Sequence, residues 1–173
     1  PYQFLGPGYL YQQEEIKNLI AYFKVLYNLD DSISLYRILN MDIFGLTARD
    51  INHLLALTRK KTWTFFEALE HVEETNLPHG SKDKVKKIIK MILRHLERAK
   101  RDSPGQILYY FMLDSGLLSS FLNIKTEKDE KEANNIAKFF DRIKTFETLN
   151  PDANIYSIVD WFDLQMEMGD SPL

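Results

Sequence analysis

Apolar residues recur along this chain with the spacing of helices. Near the N-terminus they fall at i, i+3, i+4, i+7, i+10 and i+11, which places them on one face of an α-helix: Ile16, Leu19, Ile20, Phe23, Leu26 and Tyr27. No run alternates apolar and polar residues over a length sufficient for a sheet core. The pattern predicts an all-α fold, a compact multi-helix domain.

Helix start signals divide the rest of the chain. The residues placed to accept backbone N–H groups at predicted helix starts are Asp31, Thr47, Thr64, Ser81, Ser103 and Thr126. The helix after Asp31 should run through Leu39, and the helix after Thr64 through Val72. The last helix should span residues 154 to about 168.

Two of these helices have apolar faces that can be assigned. In the helix after Ser81 the inward residues should be Val85, Ile88, Ile89, Ile92, Leu96 and Ala99. In the helix after Thr126 they should be Ile136, Ala137, Phe140 and Ile143.

A glycine turn is predicted between the helix that ends at Leu39 and the helix capped by Thr47. Gly45 lies in this connector, and Asp50 follows Thr47 at capping distance, so the segment predicts a helix-turn-helix hairpin. The free N–H groups at a helix start can hold a phosphate. The candidate phosphate-contacting residues are Gly45, Leu46, Thr47 and Arg49, together with Lys60 and Lys61 at the far end of the same helix.

Composition fits a single folded domain. The chain has 173 residues, of which 45% are hydrophobic and 27% charged, which is ordinary for a globular protein. It contains no cysteine, which excludes disulfides and thiolate metal sites and fits the cytoplasm. No apolar run is long enough to span a membrane, so no membrane partner is expected.

Positive charge is concentrated in one segment. The net charge is −3, yet residues 82–101 alone carry +7. Within this segment a secondary basic face recurs every four residues: Lys86, Lys90, Arg94 and Arg98. It is a candidate for contact with phosphate, and the alternative is an ordinary solvated face.

Motifs for chemistry are absent from the sequence. There is no G-x-x-x-x-G-K-[ST] phosphate loop and no nucleophile elbow. Asp50 with His53, and His71 with Glu74, offer only two metal-type ligands each, whereas a site needs three or four. We therefore predict no catalytic residue, metal site or cofactor in this segment.

Residues 11–47 resemble the UvrD/PcrA/Rep family of superfamily 1 DNA helicases. The ordered matches are Glu15, Ile16, Lys17, Ala21, Tyr22, Asp30, Asp31, Arg37, Asn40 and Gly45. Weaker matches follow in the same order at residues 66–69, 115–118 and 132–136. Lys24, Phe44 and Thr47 depart from the family pattern, and Thr47 replaces the second glycine of its G-I-G turn.

The resemblance implies a domain organisation. Residues 1–10 would be the edge of the RecA-like motor domain 2A, with one short strand. Residues 11–168 would form the helical 2B subdomain, and residues 169–173 would be the linker that returns to 2A. Gly6 to Gly8 and Gly169 to Pro172 would be flexible connections, and the two ends of an inserted domain should lie on the same side of the fold.

The resemblance also implies a function for the parent protein. It would be an ATP-dependent helicase that unwinds DNA with 3′–5′ polarity in repair or replication, using ATP and Mg²⁺ bound outside this segment. The 2B segment would contact duplex or fork DNA weakly through its backbone and would also contact the motor domains and accessory proteins. Two alternatives remain: a helical protein-interaction module that never binds DNA, and a subunit of the RecB/AddA helicase-nuclease type.

Overall fold

The helices follow one another with short connections. The computed structural model describes residues 7–169, and in this range we number the α-helices in chain order: α1 Pro7–Tyr11, α2 Glu14–Tyr27, α3 Ser32–Leu39, α4 Ala48–Lys61, α5 Phe65–Glu70, α6 His79–Arg98, α7 Pro104–Asp114, α8 Leu117–Ser120, α9 Glu127–Leu149 and α10 Ile155–Gly169. Three short 3₁₀ segments also occur, at Asp42–Phe44, Val72–Glu74 and Phe121–Asn123. No strand is present within residues 7–169, so the predicted all-α fold is confirmed.

Helix α2 lies at the centre of the core. It packs against α1, α3, α6, α9 and α10, and its apolar residues are buried on nearly every side. On the side of α9 and α10, Phe23 and Phe139 both meet Phe162, with ring centroids 5.6 and 5.2 Å apart. On the side of α7, the ring of Tyr22 stacks on Phe111 at 3.9 Å. The central helix thereby joins two aromatic clusters into one core.

Local capping signals predicted most of the helix starts. The side chains of Asp31, Thr47 and Thr126 accept N–H groups three residues ahead, at 3.0 to 3.1 Å. Thr64 and Ser103 form complete capping boxes with Glu67 and Gln106. Each such cap stabilises its helix by roughly 1 kcal/mol.

The predicted cap at Ser81 is wrong. Helix α6 begins at His79, three residues earlier than a cap at Ser81 predicts, and Pro78 occupies the capping position. The hydroxyl of Ser81 donates instead to the buried carboxylate of Asp50 in α4. Ser81 therefore lies inside the first turn of α6, where its hydroxyl, as a donor to a charged acceptor, joins α6 to α4.

Other predicted boundaries also shift. Residues 7 and 8 were expected to interrupt structure, but α1 begins at Pro7, a position where a helix does not need the missing N–H group. Helix α5 ends at Glu70, and Val72 belongs to the following 3₁₀ turn.

The predicted inward faces need two corrections. In α9, Ala137 is exposed, whereas Phe139 is fully buried and Asn135 donates to Glu15 at 3.2 Å. In α2, Tyr27 is 39% exposed and its ring contacts Tyr156. The buried stripe of α9 is rotated by about one residue from the prediction, because the neighbouring helices determine which side of a helix is covered. The stripe of α2 is as predicted except for Tyr27 at its end.

The two ends of the described region are adjacent. Helix α1 packs against α10, and a Cβ added at Gly8 would lie 2.9 Å from the carbonyl oxygen of Gly169. The expectation that the ends lie on one side is confirmed for these residues. The predicted N-terminal strand and residues 170–173 lie outside the described residues, and the division into 2A and 2B stays a prediction.

A search of the described helices finds none that combines the length and the apolar character needed to cross a membrane.

Replacing Phe139 by alanine tests the corrected face of α9. We expect F139A to lower the free energy of unfolding by about 3–5 kcal/mol, because it leaves a cavity in the aromatic cluster. The control is Ala137→Ser on the exposed side of the same helix, which should change stability by less than about 0.5 kcal/mol. Urea denaturation followed by circular dichroism measures both, and equal effects would contradict the assigned face.

Candidate nucleic-acid interface

The predicted turn at Gly45 is present, and its backbone is left-handed. Gly45 has φ of 65° and ψ of 21° and ends the 3₁₀ segment Asp42–Phe44. Thr47 is extended, with φ of −83°, so this position does not require a glycine. Its hydroxyl accepts the N–H group of Asp50, which leaves Ala48 and Arg49 to supply the free amides of the first turn of α4.

Helix α6 is held directly against this turn. The ammonium group of Lys84 donates to the carbonyl oxygen of Gly45 at 3.0 Å. Ser81, one turn earlier, donates to Asp50 in the first turn of α4. The basic helix and the glycine turn therefore form one continuous surface.

The predicted residues on α4 lie at its two ends. Arg49 is exposed in the first turn, close to Gly45, whereas Lys60 and Lys61 are exposed in the last turn. A helix of this length separates the two groups by roughly 20 Å. The structure does not bring Lys60 and Lys61 to the glycine turn, and Lys61 lies 6.0 Å from the ring of Trp63 instead.

The secondary basic face divides in the structure. Lys86 forms an ion pair with Glu73, and Arg98 lies 3.8 Å from the carboxylate of Asp102 and over the ring of Tyr110. Lys90 and Arg94 are exposed and line a groove beside the glycine turn. Within residues 7–169, Lys90 makes no ion pair, whereas Arg94 pairs with Asp114 at 3.1 Å while half of its side chain stays exposed.

We call this feature the basic groove, and it has a volume of about 480 Å³. Its walls are Ile43 and Phe44 on one side and the basic face of α6 on the other: Lys84, Lys87, Lys90 and Arg94. Lys87 and Lys90 form no ion pair with any residue of the described range 7–169. A row of cations with few counter-charges suits a polyanionic ligand.

A buried polar network ends at the edge of this groove. His95 is completely buried and hydrogen-bonds through Nδ1 to the hydroxyl of Tyr22 and through Nε2 to the carboxylate of Asp114, the latter at 2.6 Å. The same carboxylate accepts from Arg94 at 3.1 Å. The network consequently fixes the orientation of Arg94 in the groove.

The environment of the network shifts three pKa values. Burial lowers the pKa of His95, and nearby Arg94 and Arg98 act in the same direction, although Asp114 opposes them. Burial also raises the pKa of Tyr22 well above its ordinary value. For Asp114, burial opposes ionisation, but the hydrogen bonds from His95 and Arg94 outweigh it and lower the pKa.

The hydrogen-bond geometry and the directions of these shifts agree on a neutral His95 beside an ionised Asp114. A neutral imidazole that accepts from Tyr22 and donates to an ionised Asp114 satisfies both ring nitrogens. Within the described part of the chain, no buried side-chain polar atom lacks a hydrogen-bond partner.

Comparison with known proteins identifies the family. The sequence profile described as UvrD-like helicase C-terminal domain matches residues 1–169. This chain belongs to the UvrD-like helicase C-terminal domain family.

Relatives of this helicase domain carry helicase names. "DNA helicase II" of Rickettsia typhi is 25% identical over 168 residues, which cover 96% of this chain and 25% of that protein. "ATP-dependent DNA helicase UvrD1" of Mycobacterium leprae is 31% identical over 120 residues, covering 68% of this chain and 15% of the relative. "ATP-dependent DNA helicase PcrA" of Staphylococcus epidermidis is 32% identical over 73 residues. The chain spans about a quarter of the length of the Rickettsia relatives.

Sequence reasoning missed four residues of this UvrD-like domain's groove and network: Lys84, Lys87, His95 and Asp114. A spacing of three, three and four residues indicates one face of a helix, and the sequence shows this spacing for Lys84, Lys87, Lys90 and Arg94. His95 and Asp114 gave no comparable sign, since their partnership joins different helices. Among residues 7–169 no group of three or more potential metal ligands occurs.

A histidine titration tests the network. Because burial lowers the pKa of His95 below its unfolded value of about 6.5, the folded state binds fewer protons than the unfolded state. Stability should therefore fall as the pH drops below about 6.5. NMR titration of the ring protons should give His95 a midpoint below about 6.5, and a midpoint at or above that value would contradict the assigned network.

Proposed function

We propose that this chain is the 2B accessory subdomain of a UvrD-like ATP-dependent DNA helicase and that it binds the backbone of duplex DNA along the basic groove. The main support is the contact between Lys84 and Gly45, since it places the exposed cations of α6 beside a helix start whose amides can hold a phosphate. Membership in the helicase family makes DNA the polyanion that this surface would meet.

The dimensions of the groove support this proposal. From Lys84 to Arg94 the helix advances roughly 15 Å. One DNA strand presents a phosphate about every 3.4 Å along the duplex axis, so a row of this length reaches at most about four phosphates of one strand. Arg49 would extend the contact past the turn, whereas Lys60 and Lys61 would meet the duplex only if it follows the full length of α4.

In the proposed parent, this domain binds duplex DNA, and the motor domains hydrolyse ATP with Mg²⁺. The adjacency of Gly8 and Gly169 supports an inserted domain, because an insertion leaves and rejoins its host at neighbouring points. The continuous aromatic core supports a rigid body that could swivel about that junction. Such a body would guide the duplex toward or away from the motor.

Charge reversal in the groove tests the proposal. We expect weak binding of a duplex oligonucleotide. A plot of the logarithm of the binding constant against the logarithm of the salt concentration should become shallower by about 0.9 for each phosphate contact removed. Lys87→Glu with Lys90→Glu should reduce the slope by about 1.8, and Arg49→Glu by up to about 0.9. Lys60→Glu with Lys61→Glu should reduce it only if the duplex follows α4. Fluorescence anisotropy over a salt series measures the slope.

The matched control reverses two exposed lysines on a remote helix, Lys138 and Lys144 of α9. It changes net charge by the same amount and should leave the slope close to that of the unmodified chain. Equal slopes for both double variants would refute a contact at the groove. No measurable DNA affinity at low salt would favour a protein-interaction module instead.

A further inference from the structure

A second groove lies on the other side of the 3₁₀ segment Asp42–Phe44. It has a volume of about 460 Å³, and its apolar residues include Leu19, Ile43, Phe121 and Ile136. Ile43 lines both grooves, so a single ridge separates this one from the basic groove.

The charge of this second groove is the opposite of the first. Its polar margin carries four carboxylates: Glu14, Glu15, Asp42 and Glu132. We call this feature the acidic groove. A DNA backbone would be repelled here, and a cationic ligand would be attracted.

Three of these carboxylates, Glu15, Asp42 and Glu132, make no ion pair within residues 7–169. Glu14 is paired with Arg37 at 2.9 Å, and Glu15 accepts from Asn135 at 3.2 Å. Burial raises the pKa of Glu132 and the neighbouring Glu15 adds to this effect, although Lys128 opposes it. An incoming cation would relieve this repulsion.

Exposed apolar residues follow Phe121 of the acidic groove in the chain. Phe121 is half-buried in its wall, and the next residue, Leu122, is 81% exposed. Ile124 is 46% exposed. Apolar side chains beside an acidic margin provide the two complementary features of a surface for a basic, amphipathic segment.

We propose that the acidic groove docks a protein segment, an amphipathic helix whose apolar face covers Ile43, Phe121 and Leu122 and whose lysine or arginine residues approach Asp42 and Glu132. This mode uses anchors at i, i+3, i+4 and i+7 on the incoming helix. The ridge at Ile43 keeps this partner separate from the basic groove. The domain can therefore hold a protein and a polyanion on two sides of one turn.

Binding of a synthetic peptide tests the proposal. The probe is a fluorescein-labelled peptide of four helical turns, with leucines in the i, i+3, i+4, i+7 pattern and lysine and alanine elsewhere. We expect Asp42→Asn with Glu132→Gln to weaken its binding about tenfold, as for the loss of two ion pairs near a surface. Leu122→Ser should weaken it about fivefold by removing an apolar contact.

Matched variants control for composition. Asp30→Asn with Asp152→Asn removes two exposed carboxylates elsewhere, and Ile33→Ser replaces a side chain that is 83% exposed on α3. Both should bind the peptide within about twofold of the unmodified chain. A peptide with glutamate in place of lysine should not bind.

Three results would overturn the proposal. The first is a loss of peptide affinity in the control variants as large as that in the groove variants. The second is binding of the glutamate peptide as tight as that of the lysine peptide. The third is a loss of duplex DNA affinity in the Asp42/Glu132 variant, which would assign the acidic groove to nucleic acid. Because the Lys87/Lys90 variant should still bind the peptide, failure here is distinguishable from failure of the DNA contact.

Discussion

The orientation of α6 determines what this surface can do, and the burial of His95 is the interaction that fixes it. An imidazole with no exposed surface needs partners for both ring nitrogens, since an unpaired buried polar group costs about 1–3 kcal/mol. Tyr22 of α2 and Asp114 of α7 supply them. The helix therefore cannot rotate about its axis without breaking these bonds, and Lys84, about three turns before His95 on the same side of the helix, stays beside Gly45.

Local signals predicted the elements, and tertiary contacts decided the details. Caps such as those at Asp31 and Thr64 involve residues three apart, so the sequence contains all that is needed to predict them. The acceptor that Ser81 uses is Asp50, 31 residues away, and His95 meets Tyr22 across 73 residues. No local pattern encodes such pairs, which is why a cap was predicted at Ser81 and His95 went unnoticed.

The same reasoning explains the basic face. A spacing of four residues selects Lys86 and Arg98, but Lys86 pairs with Glu73 from the segment before α6, and Arg98 pairs with Asp102 four residues further along the chain. The cations that line the basic groove lie on a slightly different face of α6 from the predicted row, and they include Lys84 and Lys87. Sequence could locate the charged helix but could not determine which of its cations remain available.

The two sides of Asp42–Phe44 carry opposite charges, so the net negative charge of the chain does not describe either surface. The net charge of −3 averages a basic groove and an acidic groove that share the side chain of Ile43. In the function we propose, one face of the turn meets the phosphates of DNA and the other meets a basic protein segment. A rigid core beneath both would let the domain position one ligand relative to the other.

Photochemical cross-linking of the chain to a duplex oligonucleotide, with the adducts mapped by mass spectrometry, tests the central claim most directly. Our account predicts adducts concentrated in residues 43–49 and 84–94, because the contact of α6 with the glycine turn joins these two segments into one surface. Adducts concentrated on α9 or α10, with none in α6, would contradict it.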